Sequence, residues 1–167
     1  QLIQELTHPN VCPVYDWGIS AEDDGEEDGA FIVMKLLLGG SLEDRLTSGV
    51  ALDLKEALSI GIQVCEGLDY IHNRSNKTLV HNDIKPRNIL FDDQGTALIT
   101  DFGIAKPLNS GTHAYGIPGH GTPAYMPPEQ WDNPERRPTN DIYALGVTMF
   151  RMLTGTLPFP GDPNLSG

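Results

Sequence analysis

Three polar clusters carry residue types suited to phosphate and metal chemistry. His81-Asn82-Asp83-Ile84-Lys85-Pro86-Arg87-Asn88 puts a carboxylate, an ammonium and an amide within six positions, between a short apolar stretch and a strand. Asp83 can accept a proton from a hydroxyl, Lys85 can pair with a phosphate, and Asn88 offers a hard oxygen to a divalent cation. Asp101-Phe102-Gly103 follows directly after a second apolar stretch and adds a carboxylate at a strand end. The third cluster is Gly121-Thr122-Pro123-Ala124-Tyr125-Met126-Pro127-Pro128-Glu129. Each alone also fits a turn with capping side chains. Their order, joined by a hairpin and a long loop, favours one shared site.

The elements that must hold these clusters are legible from pattern. Residues 1–7 read as the end of a helix, stopped by His8-Pro9-Asn10. Residues 11–17 and 30–37 read as two strands of a hairpin around an acidic loop. Gly39-Gly40 break the second strand, and Ser41 is a good N-cap for a helix burying Leu42 and Leu46. Residues 54–73 form the clearest helix, capped by Asp53 with Glu56 in a capping-box-like position. Leu58, Ile62, Cys65, Leu68 and Ile71 fall three or four apart and predict one apolar stripe. Strands are expected at 89–91 and 97–100 around the turn Asp92-Asp93-Gln94-Gly95. Residues 102–138 read as a long, Gly- and Pro-rich ordered loop, a kind that is commonly functional. A second apolar helix over 140–154 is capped by Asn140 and stopped by Gly155, with Tyr143, Met149, Phe150 and Met152 as core residues.

Composition narrows the function classes. In 167 residues, 39% are apolar, enough for a sizeable core. The net charge of −12, with no basic patch, disfavours a nucleic-acid partner. Half of that charge lies in one run, Glu22, Asp23, Asp24, Glu26, Glu27 and Asp28, which reads as a solvated loop. Cys12 and Cys65 are the only cysteines and read as a reduced pair, so a cytoplasmic setting is expected, with a membrane tether through regions outside this chain as the alternative. No apolar run is long enough to cross a bilayer, and no signal peptide is visible. Metal binding at His113 and His120 is not expected from a loop of this kind.

Together the motifs resemble a eukaryotic-like protein kinase, of the bacterial serine/threonine type. HNDIKPRNIL is similar to the catalytic loop, DFGIAK to the metal-binding turn, and GTPAYMPPEQ to the end of the activation segment. NDIYALGVTMFRMLTGTLPF resembles the central helix of the large lobe, and HPNVCPVYDWG with FIVMKLLLGGSL the last small-lobe strands and the hinge. The resemblance implies an α+β, kinase-like two-lobe fold in part. Residues 1–34 would end the small lobe, 35–40 would form the hinge, and 41–167 would be a partial large lobe.

The same resemblance implies roles. Asp83 would orient the attacking hydroxyl, Lys85 would stabilise the transferring phosphoryl group, and Thr122 would help orient Asp83. Asn88 and Asp101 would hold Mg2+, and Met34 would be the gatekeeper beside the adenine of ATP. Lys35, Leu36 and Leu37 would supply the hinge backbone. His81 and Phe102 would pack in the spine joining the lobes, Glu129 would anchor the activation segment, and Asp141 would accept hydrogen bonds from the catalytic-loop backbone. Lys85 favours Ser or Thr of a protein as the acceptor.

Three residues depart from the family pattern. Asn82 stands where most such kinases carry Arg, so phosphate on Ser110, Thr112 or Tyr115 is not expected to be the main on-switch. Lys35 replaces a commonly acidic hinge residue, and Pro127 a common Ala. No Gly-rich loop, strand Lys or helix Glu precedes the motifs, and the chain stops after the central helix. A piece of a longer kinase is therefore expected, inactive and marginally folded by itself. The alternative is a pseudokinase or nucleotide-binding scaffold. A small-molecule phosphotransferase fits less well, because Lys85, Phe102 and the 122–129 segment favour a protein substrate.

Overall fold

A computed structural model describes residues 4–20, 29–74, 78–102, 123–132 and 135–159. Within them lie two small antiparallel sheets and four α-helices, an α+β arrangement. β1 (Val14–Ser20) pairs with β2 (Gly29–Met34), and β3 (Ile89–Phe91) with β4 (Ala97–Ile99). The helices are α1 (Leu42–Leu46), α2 (Leu54–His72), α3 (Glu129–Asp132) and α4 (Pro138–Thr154). Short 3-10 turns cover Pro86–Asn88 and Pro123–Tyr125.

Both expected hairpins form, with shifted ends. The first strand starts at Val14, not residue 11, because Val11 and Cys12 instead bond to the second sheet: Cys12 N donates to Ile99 O at 2.8 Å. The second strand ends at Met34, because Lys35 N turns to Pro13 O at 3.0 Å and the chain leaves the ladder. Thr100 lies just beyond β4. Of the helix end expected over 1–7, residues 4–7 form a turn and irregular chain, and 1–3 lie outside the described residues.

Helix α1 carries a complete capping box. Ser41 Oγ accepts from Asp44 N at 3.1 Å, and Asp44 Oδ2 accepts from Ser41 N at 2.8 Å. Leu42 and Leu46 are buried as expected. At α2, Asp53 accepts from Glu56 N, but Glu56 reaches across to Arg45 at 3.0 Å rather than back to its cap.

The buried face of α2 differs from the expected stripe. Ala57, Ile60, Gly61, Val64, Gly67, Leu68 and Ile71 face inward, while Leu58, Ile62 and Cys65 are exposed. Both faces satisfy a helical period, and small residues decide between them. A Cβ at Gly67 would lie 2.8 Å from the Asn10 carbonyl oxygen, so the backbone before β1 can approach α2 this closely only over glycine. The core gathers these residues with Val11, Phe91, Ile99, Ala144, Leu145, Val147 and Met152. Tyr143 and Met149 pack partly buried against it, but Phe150 is exposed.

Helix α4 starts two residues earlier than expected. Arg137 occupies the N-cap without a side-chain capping hydrogen bond, and Pro138 sits in the first turn, where its missing N–H costs nothing. Asn140 lies inside the helix and is spent on tertiary bonds instead. Gly155 ends it as expected, in the left-handed conformation at φ 74°, with its N–H returning to Arg151 O.

Candidate active site

Residues 81–88 leave regular structure just where the polar residues cluster, and side chains take over the work of holding the backbone. Asp141, fully buried on α4, accepts from His81 N at 2.9 Å and Asn82 N at 2.6 Å. His72, at the end of α2, places its Nε2 2.7 Å from the same carboxylate. The resemblance implied the first two bonds, and the geometry contains them. Asn82 takes a positive φ of 63°, costing of the order of 1–3 kcal/mol in general and less for Asn than for most residues. Two bonds on either side of that peptide hold it there.

His81 is the second clamp. Its Nε2 lies 2.8 Å from Thr100 O, which can only accept, so Nε2 carries the proton. Its Nδ1 then accepts from Asp83 N at 3.2 Å. Burial pushes the imidazole pKa down, against smaller opposing effects of the Thr100 carbonyl and of Asp141, Asp83 and Asp101. A neutral His81 thus links the strand end before Asp101 to the backbone of Asp83. Phe102 tilts against its ring with centroids 5.0 Å apart.

These clamps present Asp83 to a small polar constellation. Lys85 Nζ lies 3.0 and 2.8 Å from the two Asp83 oxygens. Asn88 Nδ2 donates to Asp83 O at 2.8 Å and Oδ2 at 3.0 Å. Asn88 O accepts from Thr100 N at 3.0 Å, which ties the loop to the strand bearing Asp101. Asp101 itself is exposed, at φ 59°. Asp83, Lys85, Asn88 and Asp101 are therefore brought to one edge of the β3–β4 sheet. With its Nδ2 spent, Asn88 has its amide oxygen to offer, and Asp101 a carboxylate. Both are hard oxygen donors of the kind that divalent cations take.

A shallow cleft beside Asp101 is lined by Cys12, Val14, Ile32, Met34, Thr100 and Phe102. Thr100 Oγ1 contacts Met34 Sδ at 3.5 Å, so the expected gatekeeper borders this cleft. Lys35, Leu36 and Leu37 follow as irregular chain, with Leu36 almost fully exposed. Gly39 N donates to Phe91 O, and Phe91 N donates to Gly40 O, pinning that segment to β3. Thr122, Gly103, Ser110, Thr112, Tyr115, His113, His120 and the acidic run lie outside the described residues. Glu129 opens α3 and is exposed.

Two features escaped the sequence reading. Asn82 Oδ1 accepts from Gln130 Nε2 at 3.1 Å and Asn140 Nδ2 at 3.2 Å, so the residue replacing the common Arg joins α3 and α4 to the loop without charge. Arg151 on α4 binds both oxygens of Glu43 on α1, at 2.6 and 2.8 Å, and donates to Tyr125 Oη at 2.8 Å. Partners 108 positions apart leave no local signal. Among the described residues, no group of three or more His, Cys, Asp or Glu forms a metal cluster. No described helix is long and apolar enough to cross a membrane.

A buried carboxylate and a neutral histidine thus fix a loop that carries Asp83, Lys85 and Asn88, next to Asp101 just beyond β4. The chain belongs to the protein kinase domain family, whose profile matches residues 1–166. It is 38% identical over 166 residues to the serine/threonine-protein kinase PrkC of Bacillus subtilis, covering 99% of this chain and 24% of that protein. It is 37% identical over 161 residues to the serine/threonine-protein kinase PknA of Mycobacterium tuberculosis, covering 96% of this chain and 36% of that protein. The probable serine/threonine-protein kinase PknB of Lactococcus lactis is 36% identical over 158 residues, 95% of this chain and 24% of its own. The chain thus spans about a quarter to a third of the length of these relatives.

Proposed function

We propose that this chain supplies the catalytic loop and metal-binding turn of a serine/threonine protein kinase, which transfers the terminal phosphoryl group of ATP to Ser or Thr hydroxyls of proteins. The observation that carries the reading is the Asp83–Lys85–Asn88 constellation, held by bonds to its own backbone and to Asp141. Asp83 orients the acceptor hydroxyl and takes its proton. Lys85, within reach of Asp83, neutralises charge on the transferring group. Asn88 and Asp101 would hold Mg2+, whose chemistry is to neutralise phosphate oxygens. Thr122 completes the orientation of Asp83. Residues 1–34 end the small lobe, and 41–167 belong to the large lobe. Met34, Lys35, Leu36 and Leu37 border the adenine across the hinge, residues 35–40. Little covalent chemistry is asked of the protein, so positioning and electrostatics do most of the work. Two free cysteines among the described residues support a reducing, cytoplasmic setting.

The test is phosphate transfer from ATP to a Ser/Thr-containing protein by the full-length protein, with Asp83→Asn as the comparison. The variant is expected to lose about 10²- to 10⁴-fold in rate with its fold intact. Undiminished transfer by Asp83→Asn would remove Asp83 from the chemistry. ATP binding without transfer by the wild type would favour a scaffold over an enzyme.

A further inference from the structure

Asn82, the residue before Asp83, stands in the left-handed region at φ 63°. Asp141 fixes its backbone N–H, and a second set of bonds fixes its side chain. Asn82 Oδ1 accepts from Gln130 Nε2 at 3.1 Å and from Asn140 Nδ2 at 3.2 Å, which fills both lone pairs of that oxygen. The Asn82 amide nitrogen has no hydrogen-bond partner among the described residues, so the oxygen is the atom that matters. The three side chains and Asp83 line one small cavity.

Each donor reaches Asn82 from a separately fixed place. Asn140 is buried on α4, directly before Asp141, and its Nδ2 also donates to Glu135 O at 3.0 Å. A carbonyl oxygen only accepts, so that bond settles which end of the Asn140 amide faces Asn82. Gln130 sits on α3, one residue past the 121–129 cluster, and its own N–H donates to Pro127 O at 3.0 Å. One oxygen thus joins α3, α4 and the loop of Asp83.

The link has a direction. Two donors converge on one acceptor, so the side chain at position 82 must accept. An arginine carries only N–H donors and no acceptor. It would set donors against donors, and Asn140 cannot turn its oxygen towards position 82 without losing Glu135 O. The backbone adds to this, since Asn adopts the left-handed region more readily than long side chains do. Both bonds join neutral groups, so salt does not screen them as it would an exposed ion pair.

We propose that Gln130 and Asn140 are positioning residues for Asp83: through the Asn82 oxygen they hold its loop by a neutral link of fixed polarity, which an arginine at position 82 would break rather than strengthen. This rests on the kinase reading above.

The experiment reverses the polarity in the full-length protein and reads phosphate transfer from ATP to a Ser/Thr peptide. Gln130→Met, which removes one donor, is expected to lower kcat about three- to tenfold, the usual range for a neutral hydrogen bond, with the KM for ATP unchanged. Asn82→Arg should lose about tenfold or more, because donors then stand opposite donors. Gln130→Glu sets a carboxylate against the Asn82 oxygen and should be similarly impaired. Asn82→Arg/Gln130→Glu pairs a donor with an acceptor again. It should recover part of the Asn82→Arg loss, leaving only the Asn140 donor opposed, and its activity should fall more steeply with added salt than that of the wild type. Amide hydrogen exchange at Asn82 and Asp83 should quicken in the single variants and slow again in the double, while exchange at Ile99 in β4 stays as in the wild type. Full activity in Asn82→Arg, a double variant no better than Asn82→Arg, a loss confined to the KM for ATP, or unchanged exchange at Asn82 and Asp83 in the single variants would overturn the proposal. Hydrogen exchange decides the positioning even if no phosphate transfer is detected, a result that would count against the kinase reading alone.

Discussion

From His81 to Asn88 the chain has a single short 3-10 turn, yet the side chains of His81, Asn82, Asp83, Lys85 and Asn88 and the amides of residues 81, 82, 83 and 88 all have fixed partners. From Val14 to Met34 it forms a regular antiparallel hairpin, yet Tyr15, Trp17, Phe31 and Val33 are about half exposed. Regular hydrogen bonding and firm placement are thus separate properties. The hairpin satisfies its backbone by pairing strands and leaves its side chains to solvent. The loop's backbone is bonded by buried side chains, Asp141 of α4 and the loop's own His81 and Asn88, which fixes Asp83 in three dimensions. Chemistry that depends on sub-ångström placement belongs in the second kind of structure.

The strongest way to break this contrast is to remove the buried carboxylate. Asp141→Ala leaves the His81 and Asn82 amides without an acceptor, and an expected loss of about 2–5 kcal/mol should appear in urea unfolding of the full-length protein. A loss near zero would mean that the loop is held by something other than Asp141. A smaller effect should come with acid. Because burial lowers the His81 pKa, the unfolded chain binds a proton below pH ~6.5 that the folded chain still refuses. Stability should therefore fall as pH drops below about 6.5, by up to about 1.4 kcal/mol per pH unit, and His81→Asn should lack that component. A wild-type pH slope identical to that of His81→Asn would contradict the neutral tautomer assigned here. The smallest effect is expected in the hairpin. Trp17→Thr, at a site 52% exposed, should change unfolding free energy by less than about 0.5 kcal/mol despite removing the largest side-chain type.

Local signals in the sequence were read well where one residue settles one feature. Ser41 before a leucine at helical spacing, Asp92 through Gly95 in the β3–β4 turn, and Gly155 at the end of α4 all stand where expected. Asp83, Lys85, Asn88 and Asp101 were legible as a set because their order matches a family pattern, although spacing alone left a turn as an alternative. The readings that failed were those with two local answers. Helix α2 has two apolar faces, and the one carrying Ala57, Gly61 and Gly67 is buried because close approach selects small residues over leucine. Asn140 looked like a cap, but Pro138 begins the helix earlier and frees the amide to reach Asn82. The Glu43–Arg151–Tyr125 contact could not be read at all, since nothing near any of the three residues announces the others.

The two thiols differ in a way that is useful at the bench. Cys12 is buried beneath the segment leaving β2, its Sγ 3.8 Å from Lys35 O, whereas Cys65 stands exposed on the outer face of α2. Burial raises the pKa of both, so each is mainly protonated at neutral pH and access rather than ionisation separates them. A bulky maleimide applied to the folded protein should therefore find Cys65 first. Among these two cysteines, the fold offers one selective handle for a fluorophore or spin label, on a helix face turned away from the core.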